Sequence, residues 1–382
     1  MSSADLILPA ADWWQGPQAK ALLSALNGEA RFVGGAVRDG LLGRTVNDVD
    51  LATPLLPAEV TRRLEAAGFK VIPTGIDHGT VTAVVRGQTF EITTLRRDVS
   101  TDGRRATVAF STDWAEDAQR RDFTINGLFA DGEGRVFDFT GGTQDLSPTR
   151  IRFIGRAEDR IREDYLRLMR FFRFHAHYGT GPMDAKALTA AAALAPGLAQ
   201  LSAERVWSEL KRLLAAPAPT EVLAAMGQTG VLTQVLPEAL WPAALPAGDW
   251  SVRLLALLPP GCDLTALSDR LRWSKAELGL LIGMQEAAES EPPHPYGLLR
   301  RYGAAVLSGF AVRLARGGSV PQGWQEIAIG WQPRDFPLSG RDLIERGAQP
   351  GPDLGRRLAA IEQAWEAGGC VASRDELLAG LA

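Results

Sequence analysis

Apolar positions along the chain follow two rhythms. Up to about residue 155 they come as short runs of β character cut by glycine turns, at 31–33, 49–53, 81–85, 89–94 and 135–139. Runs of this length, bounded by turn residues, predict strands. Short helical patterns lie between them, such as 58–67, closed by Gly68. Beyond that point Ala, Leu and Arg recur at helical spacing and predict helices over 158–178, 184–194, 203–214 and 220–229. From about residue 242 the pattern is again helical, with proline-rich breaks near 291–295 and 333–337. No internal repeat and no low-complexity segment interrupts it. The pattern predicts an α+β protein, with a mixed β-sheet and helices first and an all-α region after.

Length and composition narrow the class. At 382 residues the chain exceeds one ordinary core, so two to four domains or subdomains are expected. A hydrophobic share of 46% with 23% charged residues describes a globular chain. There is no run of eighteen apolar residues, and the first residues lack the features of a signal peptide, so no membrane and a cytoplasmic location are expected. Two distant cysteines, Cys262 and Cys370, imply neither a disulfide framework nor a metal cluster. A net charge of −4 means that any nucleic acid is met by local basic patches.

The densest chemistry lies between Phe32 and Thr53. A strand at 31–33 runs into Gly34 and Gly35, and a short helix over 36–42 follows. Paired glycines at such a turn let backbone N–H groups approach a phosphate, and Arg38 stands one turn into the helix. A plain turn would read the same way. Asp48 and Asp50 open the next strand, where a period of two places both carboxylates on one face and sends Val49 and Leu51 to the core. Two such acids repel unless a cation sits between them, and the arrangement suits Mg²⁺. Glu91 interrupts Phe90 and Ile92 on a strand of an expected hairpin turning at 86–88, and so points away from the core. Each acid alone is an ordinary surface residue. Three acids on sheet strands after a phosphate turn suggest metal-assisted, in-line nucleotidyl transfer.

GGAVRD, with DVD thirteen residues after Gly35, is followed by DHGTV from Asp77, FEITTLR from Phe90, RRDFTIN from Arg120, REDYLRLMRFFRF from Arg162 and SAERVWSEL from Ser202. This ordered set resembles class II tRNA nucleotidyltransferases, the CCA-adding enzymes, which share their family with bacterial poly(A) polymerases. The resemblance implies a catalytic nucleotidyltransferase head over 1–150, a helical neck with nucleobase-selecting and RNA-binding helices over 151–240, and a helical body and tail over 241–382 that binds tRNA. It implies Mg²⁺ on Asp48 and Asp50, with Glu91 as the third catalytic acid. Gly34, Gly35, Arg38 and Arg121 would contact the incoming triphosphate, with Arg121 expected near a helix start, where an anion gives a basic residue better reason than the helix dipole does. Pairing of Arg121 with a carboxylate is the competing reading. Asn126 is expected to orient its neighbours.

The resemblance also places Asp164, Arg167, Arg170 and Arg173 at the nucleobase. On one helix over 160–174 their spacing of three would put Asp164 and Arg167 on a shared face. A carboxylate only accepts hydrogen bonds and a guanidinium only donates, so the pair matches the amine and ring nitrogen that cytosine and adenine both offer, and mismatches uracil and guanine. A solvated ion pair is the bland alternative. For the change from C to A the family uses a flexible loop, and the polar stretch 97–114 is the candidate, with an ordinary connection equally open.

His78, His175 and His177 read as turn or helix-end residues. Trp207, Trp241, Trp273 and Trp331 read as helix-packing core. Arg205, Arg212, Arg300, Arg301, Arg356 and Arg357 are surface residues open to phosphate contacts. The expected partners are the tRNA 3′ end, CTP and ATP, with the protein a monomer or weak homodimer. The alternatives at this point are a poly(A) polymerase of the same family, a separate A-adding or CC-adding enzyme, of which the long 97–114 stretch disfavours the CC-adding form, and a non-catalytic RNA-binding protein.

Overall fold

The computed structural model describes residues 6–102, 105–241, 245–290 and 295–381, and of residues 77, 98–102 and 105–108 the backbone alone. The chain packs as two compact units, residues 1–201 with 216–235, and residues 202–215 with 236–382.

In the first unit α1 (Asp12–Gln15) and α2 (Pro17–Ala25) precede β1 (Arg31–Val33), α3 (Gly35–Leu41), β2 (Asp50–Thr53) and α4 (Pro57–Ala66). There follow β3 (Lys70–Gly75), β4 (Thr80–Val85), β5 (Gln88–Thr94), β6 (Arg96–Asp102), β7 (Arg105–Phe110), α5 (Trp114–Gln119), β8 (Leu128–Ala130) and β9 (Val136–Asp138). Seven strands form one mixed sheet in the order β3-β4-β5-β2-β1-β8-β9. Among its described pairs β2 and β5 alone run parallel, and they set Asp50 opposite Glu91 and Leu51 opposite Ile92. Arg86 and Gly87, both at positive φ, make the two-residue turn between β4 and β5. That backbone twist matches the twist of the paired strands.

Alternation sorts side chains between the two faces of the sheet. Phe32, Leu51, Val81, Phe90 and Ile92 share a buried cluster with Leu22 and Leu26 of the α2 region and with Val60 and Leu64 of α4. The other face carries a smaller cluster of Val33, Ala52, Leu95, Ala118 and Phe129, with Trp114 and Phe137 against it. Asp50, in phase with Ala52, belongs to this second face, and so does Glu91, out of phase with Phe90 and Ile92.

The helices beyond residue 155 are α6 (Ala157–Glu163), α7 (Leu166–Tyr178), α8 (Ala185–Leu194), α9 (Ala203–Leu214) and α10 (Pro219–Gln228). Here the structure corrects the sequence reading, because the helix expected over 158–178 is two helices. Asp164 adopts an extended backbone, φ −154° and ψ 108°, and its Oδ1 accepts from the amide of Leu166 at 3.0 Å. A short acid that satisfies the next helix's free N–H groups competes with continuing the previous one. A second correction concerns the stretch expected as a loop over 97–114. Its greater part is the two-stranded hairpin of β6 and β7, with Arg96 opposite Phe110 and Asp102 opposite Arg105, and Gly103 lies outside the described residues. Strands β3 and β8 also escaped prediction. β3 is a largely exposed edge strand containing Pro73, and β8 is three residues, all buried, so neither alternates.

In the second unit α9 packs with the helices that follow residue 249. Glu277 accepts from Lys211 Nζ at 2.7 Å and Trp207 Nε1 at 3.2 Å, and it closes a capping box with Ser274 at the start of helix Lys275–Glu289. Trp207 and Trp273 are buried as expected and lie 5.3 Å apart. Trp241 is exposed, against the core reading. Arg300 pairs with Glu362 and Glu366 and so braces helices of this unit. The break expected at 291–295 falls almost wholly outside the described residues.

Candidate active site

β2 and the residues before it carry Asp48, Asp50 and the buried Val49 between them. Parallel pairing brings Glu91 of β5 level with Asp50. The three acids are close enough to feel one another. Burial of the Asp50 carboxyl, then the charges of Glu91 and Asp48, push it up to about 6, while Arg121 pulls the other way. The residue keeps an exposed edge, so substrate or a cation can reach it. None of these acids takes part in an ion pair among the described residues. Asp48 and Asp50 are the side chains that could hold a divalent cation. Among the described residues no three histidines, cysteines or carboxylates converge tightly enough to enclose a metal by themselves.

The glycine turn lies beside them. Gly34 has φ 67° and ψ −118°, a region that only glycine enters without strain. A Cβ there would stand 3.4 Å from Arg121 Nη1, and one at Gly35 would stand 3.6 Å from Arg38 Nη2. Both expected arginines therefore border the turn, in different ways. The Arg38 guanidinium is buried and donates through Nε and Nη2 to Asp39, through Nη2 to Tyr178 Oη at 2.7 Å, and through Nη1 to Asn126 Oδ1 at 2.6 Å. Four of its five N–H groups are thereby engaged with the protein. Arg121 pairs with Asp117 at 2.9 Å, so the competing carboxylate exists, yet Nη1 still faces Gly34. The expectation that Arg120 and Arg121 open a helix is corrected. They follow α5, whose N-cap is Asp113 and whose C-cap is Arg120, and a basic residue suits that end of the dipole.

RRDFTIN works through its polar members. Asp122 is buried and accepts from Phe123 N, Asn126 Nδ2 and Arg170, the last through Nε at 2.7 Å and Nη2 at 2.6 Å. Arg170, Asn126 and the charge of Asp122 thus join Arg38 to α7 in one network. Of the four residues expected at the base, Arg167 is held by the junction of α6 and α7 and the end of α5. Its guanidinium pairs with Glu163 and donates to the carbonyls of Arg160 and Arg120, each at 3.2 Å. Asp164 stands at the junction of α6 and α7, a position close in sequence to Arg167 but not one helical face with it. Arg170 turns to Asp122, and Arg173 lies over the ring of Phe174 at 4.5 Å.

Residues 30–152 match the family described as Poly A polymerase head domain, and residues 182–240 match the Probable RNA and SrmB- binding site of polymerase A. The mouse mitochondrial CCA tRNA nucleotidyltransferase 1 is 36% identical over 380 residues, covering 94% of this chain and 87% of the relative. The chain belongs to the CCA-adding tRNA nucleotidyltransferase family. A Bacillus stearothermophilus CCA-adding enzyme, solved with CTP, superimposes with a TM-score of 0.80 at 29% identity, over 95% of this chain and 96% of that one. The Thermotoga maritima CCA-adding enzyme with tRNA shares the fold, with a TM-score of 0.67 at 18% identity over 98% of each chain.

Within this CCA-adding enzyme, sequence reasoning passed over Asp117, Asp122, Glu163 and Tyr178, which hold the arginines it did select. A signal existed for two of them, since Asp117 precedes Arg121, and Glu163 precedes Arg167, by four residues. A cavity of about 680 Å³ lined by Phe139, Arg152, Phe153 and Lys186 among others contains none of Asp48, Asp50 and Glu91. Charge and register locate the site better than volume does. No helix among the described residues is long and apolar enough to cross a membrane.

Proposed function

We propose that this nucleotidyltransferase adds C, C and A in turn to the 3′ end of tRNA, taking CTP and ATP as donors and no template. The observation that carries the reading is the alignment of Asp50 with Glu91 beside Asp48, where burial first, and then the charges of Glu91 and Asp48, raise Asp50 to about 6. Folding maintains that repulsion only to some purpose, and a bound cation is the simplest one.

The donor set fits Mg²⁺, which takes one or two protein carboxylates and completes its shell with water and substrate phosphates. Asp48 and Asp50 would hold it, and when bound it would offset the charge that develops on the phosphates during in-line transfer. Glu91 keeps the site acidic next to Asp50. Gly34 donates its own N–H to the Leu128 carbonyl at 3.1 Å, so the turn would meet the triphosphate with the N–H groups that open α3 from Gly35 onward, and Arg121 adds a charge-assisted contact from Nη1. Arg38, locked by Asp39, Asn126 and Tyr178, holds the turn in shape and borders the same phosphates.

Asp164 and Arg167 read the base. Glu163 and two backbone carbonyls fix the Arg167 guanidinium before any nucleotide arrives, and a preorganised donor discriminates more sharply than a mobile one. Arg170 and Arg173 continue that surface along α7. The β6–β7 hairpin serves the change from C to A. The helical region after residue 241 binds the tRNA body, the enzyme works as a monomer or weak homodimer, and its location is the cytoplasm, although the mouse relative bears a mitochondrial name. The test is to incubate the protein with tRNA lacking its 3′ end and each labelled nucleotide, then sequence the product. Addition of CCA supports the reading, and a run of A from ATP alone would replace it with poly(A) synthesis.

A further inference from the structure

One buried carboxylate lies where three parts of the head meet. Asp117, on α5, is 1% exposed. Its Oδ1 accepts from the backbone amide of Arg96 at 3.2 Å and from Arg120 Nε at 2.7 Å. Its Oδ2 accepts from Arg121 Nε at 3.2 Å and Nη2 at 2.9 Å. Arg96 is the first residue of the β6–β7 hairpin, and the Arg121 edge left over, Nη1, is the one that faces Gly34. The two arginines keep Asp117 ionised, holding its carboxyl below the usual carboxylate range against the opposing effect of burial.

We propose that Asp117 is a positioning residue that orients Arg121 over the phosphate turn and ties that orientation to the root of the hairpin. Its carboxylate has two oxygens and meets donors on both, so a shift of the Arg96 amide alters the geometry available to Arg121. A planar guanidinium gripped along one edge can rotate little, and the grip decides where the other edge points. The hairpin thereby reaches the triphosphate contact through a single side chain, without touching the nucleotide. This rests on the reading that Arg121 meets the triphosphate.

Asp117→Asn tests it. The amide keeps the shape but brings an NH₂ against an N–H donor on whichever side it lies, so one of the two grips is lost. The measurement is kcat/KM for CTP and ATP with wild type, Asp117→Asn, Arg121→Ala and the double variant, alongside melting temperature. The expectation is a loss of about tenfold to a hundredfold for Asp117→Asn, equal to one misplaced charge-assisted contact. In the Arg121→Ala background the same change should cost less than about threefold, because the group it positions is gone. Fully multiplying losses would overturn the proposal and make Asp117 a general prop of the fold. Arg121→Ala with unchanged nucleotide kinetics would instead remove the reading beneath it. Should Asp117→Asn not fold, Arg96→Pro against Arg96→Ala isolates the amide link. Proline removes the N–H that alanine keeps, so it should depress addition of the final A further, and equal losses for the pair would refute the coupling.

Discussion

Asp50 and Glu277 are both carboxylates that folding takes partly out of water, and they finish at opposite ends of the scale. Burial raises each. At Asp50 the neighbours are Glu91 and Asp48, and the value settles at about 6. At Glu277 Lys211, Ser274 and Trp207 all donate to the carboxylate and outweigh burial, so it falls to about 2. One acid is satisfied by its own unit and holds helices together. The other is placed among like charges and is left for something the chain does not supply. On the proposed reading, an acid that the fold needs comes with donors, whereas one that the reaction needs comes without them.

Removing each acid breaks the comparison most directly. Asp48→Ala or Asp50→Ala should lower nucleotide transfer at least about a hundredfold, since metal assistance contributes several kcal/mol to such barriers. Asp50→Asn should melt no lower than wild type at pH 7 in metal-free buffer, because the replaced charge opposed folding. A fall in melting temperature together with intact turnover would place Asp50 in the structural class.

The residues proposed to read the base come next. Asp164→Ala removes the acceptor that faces O4 of uracil and O6 of guanine, so relative acceptance of UTP and GTP should rise by roughly tenfold to a hundredfold, the worth of one relieved mismatch of about 1–3 kcal/mol. Retained preference for C and A, measured as kcat/KM with all four nucleotides on one primer, would send base selection elsewhere. Shortening the hairpin across 99–111 should leave C addition largely intact while the final A falls about tenfold, 1.4 kcal/mol in barrier terms. Equal losses in both would make the hairpin a general support.

The smallest effect sharpens the other half of the comparison. Glu277 has its value lowered in the fold, so its contribution is present above the unfolded value near 4.5 and fades as pH drops towards 2. Glu277→Gln should therefore cost about 1–2 kcal/mol in urea melts at pH 7, and the gap to wild type should close below about pH 3. Asp50 has the reverse sign. Its ionisation weakens the metal-free fold as pH rises from about 4 to 6, so Asp50→Asn should lose any stability advantage below pH 4.

What could be read from the sequence was whatever depends on local period. A spacing of two put Asp48 and Asp50 opposite Val49 and Leu51, and the same rule turned Glu91 away from Phe90. That the two strands lie side by side in parallel is a non-local fact, and no periodicity encodes it. The partners of Arg38 show the same limit, since Asn126 and Tyr178 stand 88 and 140 residues away. The break at Asp164 was hidden by unbroken helical spacing on both sides, and its extended backbone and the hydrogen bond from Leu166 N reveal it. The β6–β7 hairpin was hidden by charge and glycine, because a polar stretch such as RDVSTDGRR shows no alternation of apolar and polar positions to find.

The parallel seam between β2 and β5 has a consequence for how the molecule is born. Those strands are not joined by a tight turn, since α4, β3 and β4 lie between them in the chain. Pairing across such a separation is slow and comes late. As it closes, it forces Asp50 and Glu91 together, so the act of maturation carries its own electrostatic barrier. A nascent chain therefore gathers the proposed catalytic acids only once β5 has emerged, and a divalent counter-ion in the refolding medium should hasten the closing of the seam.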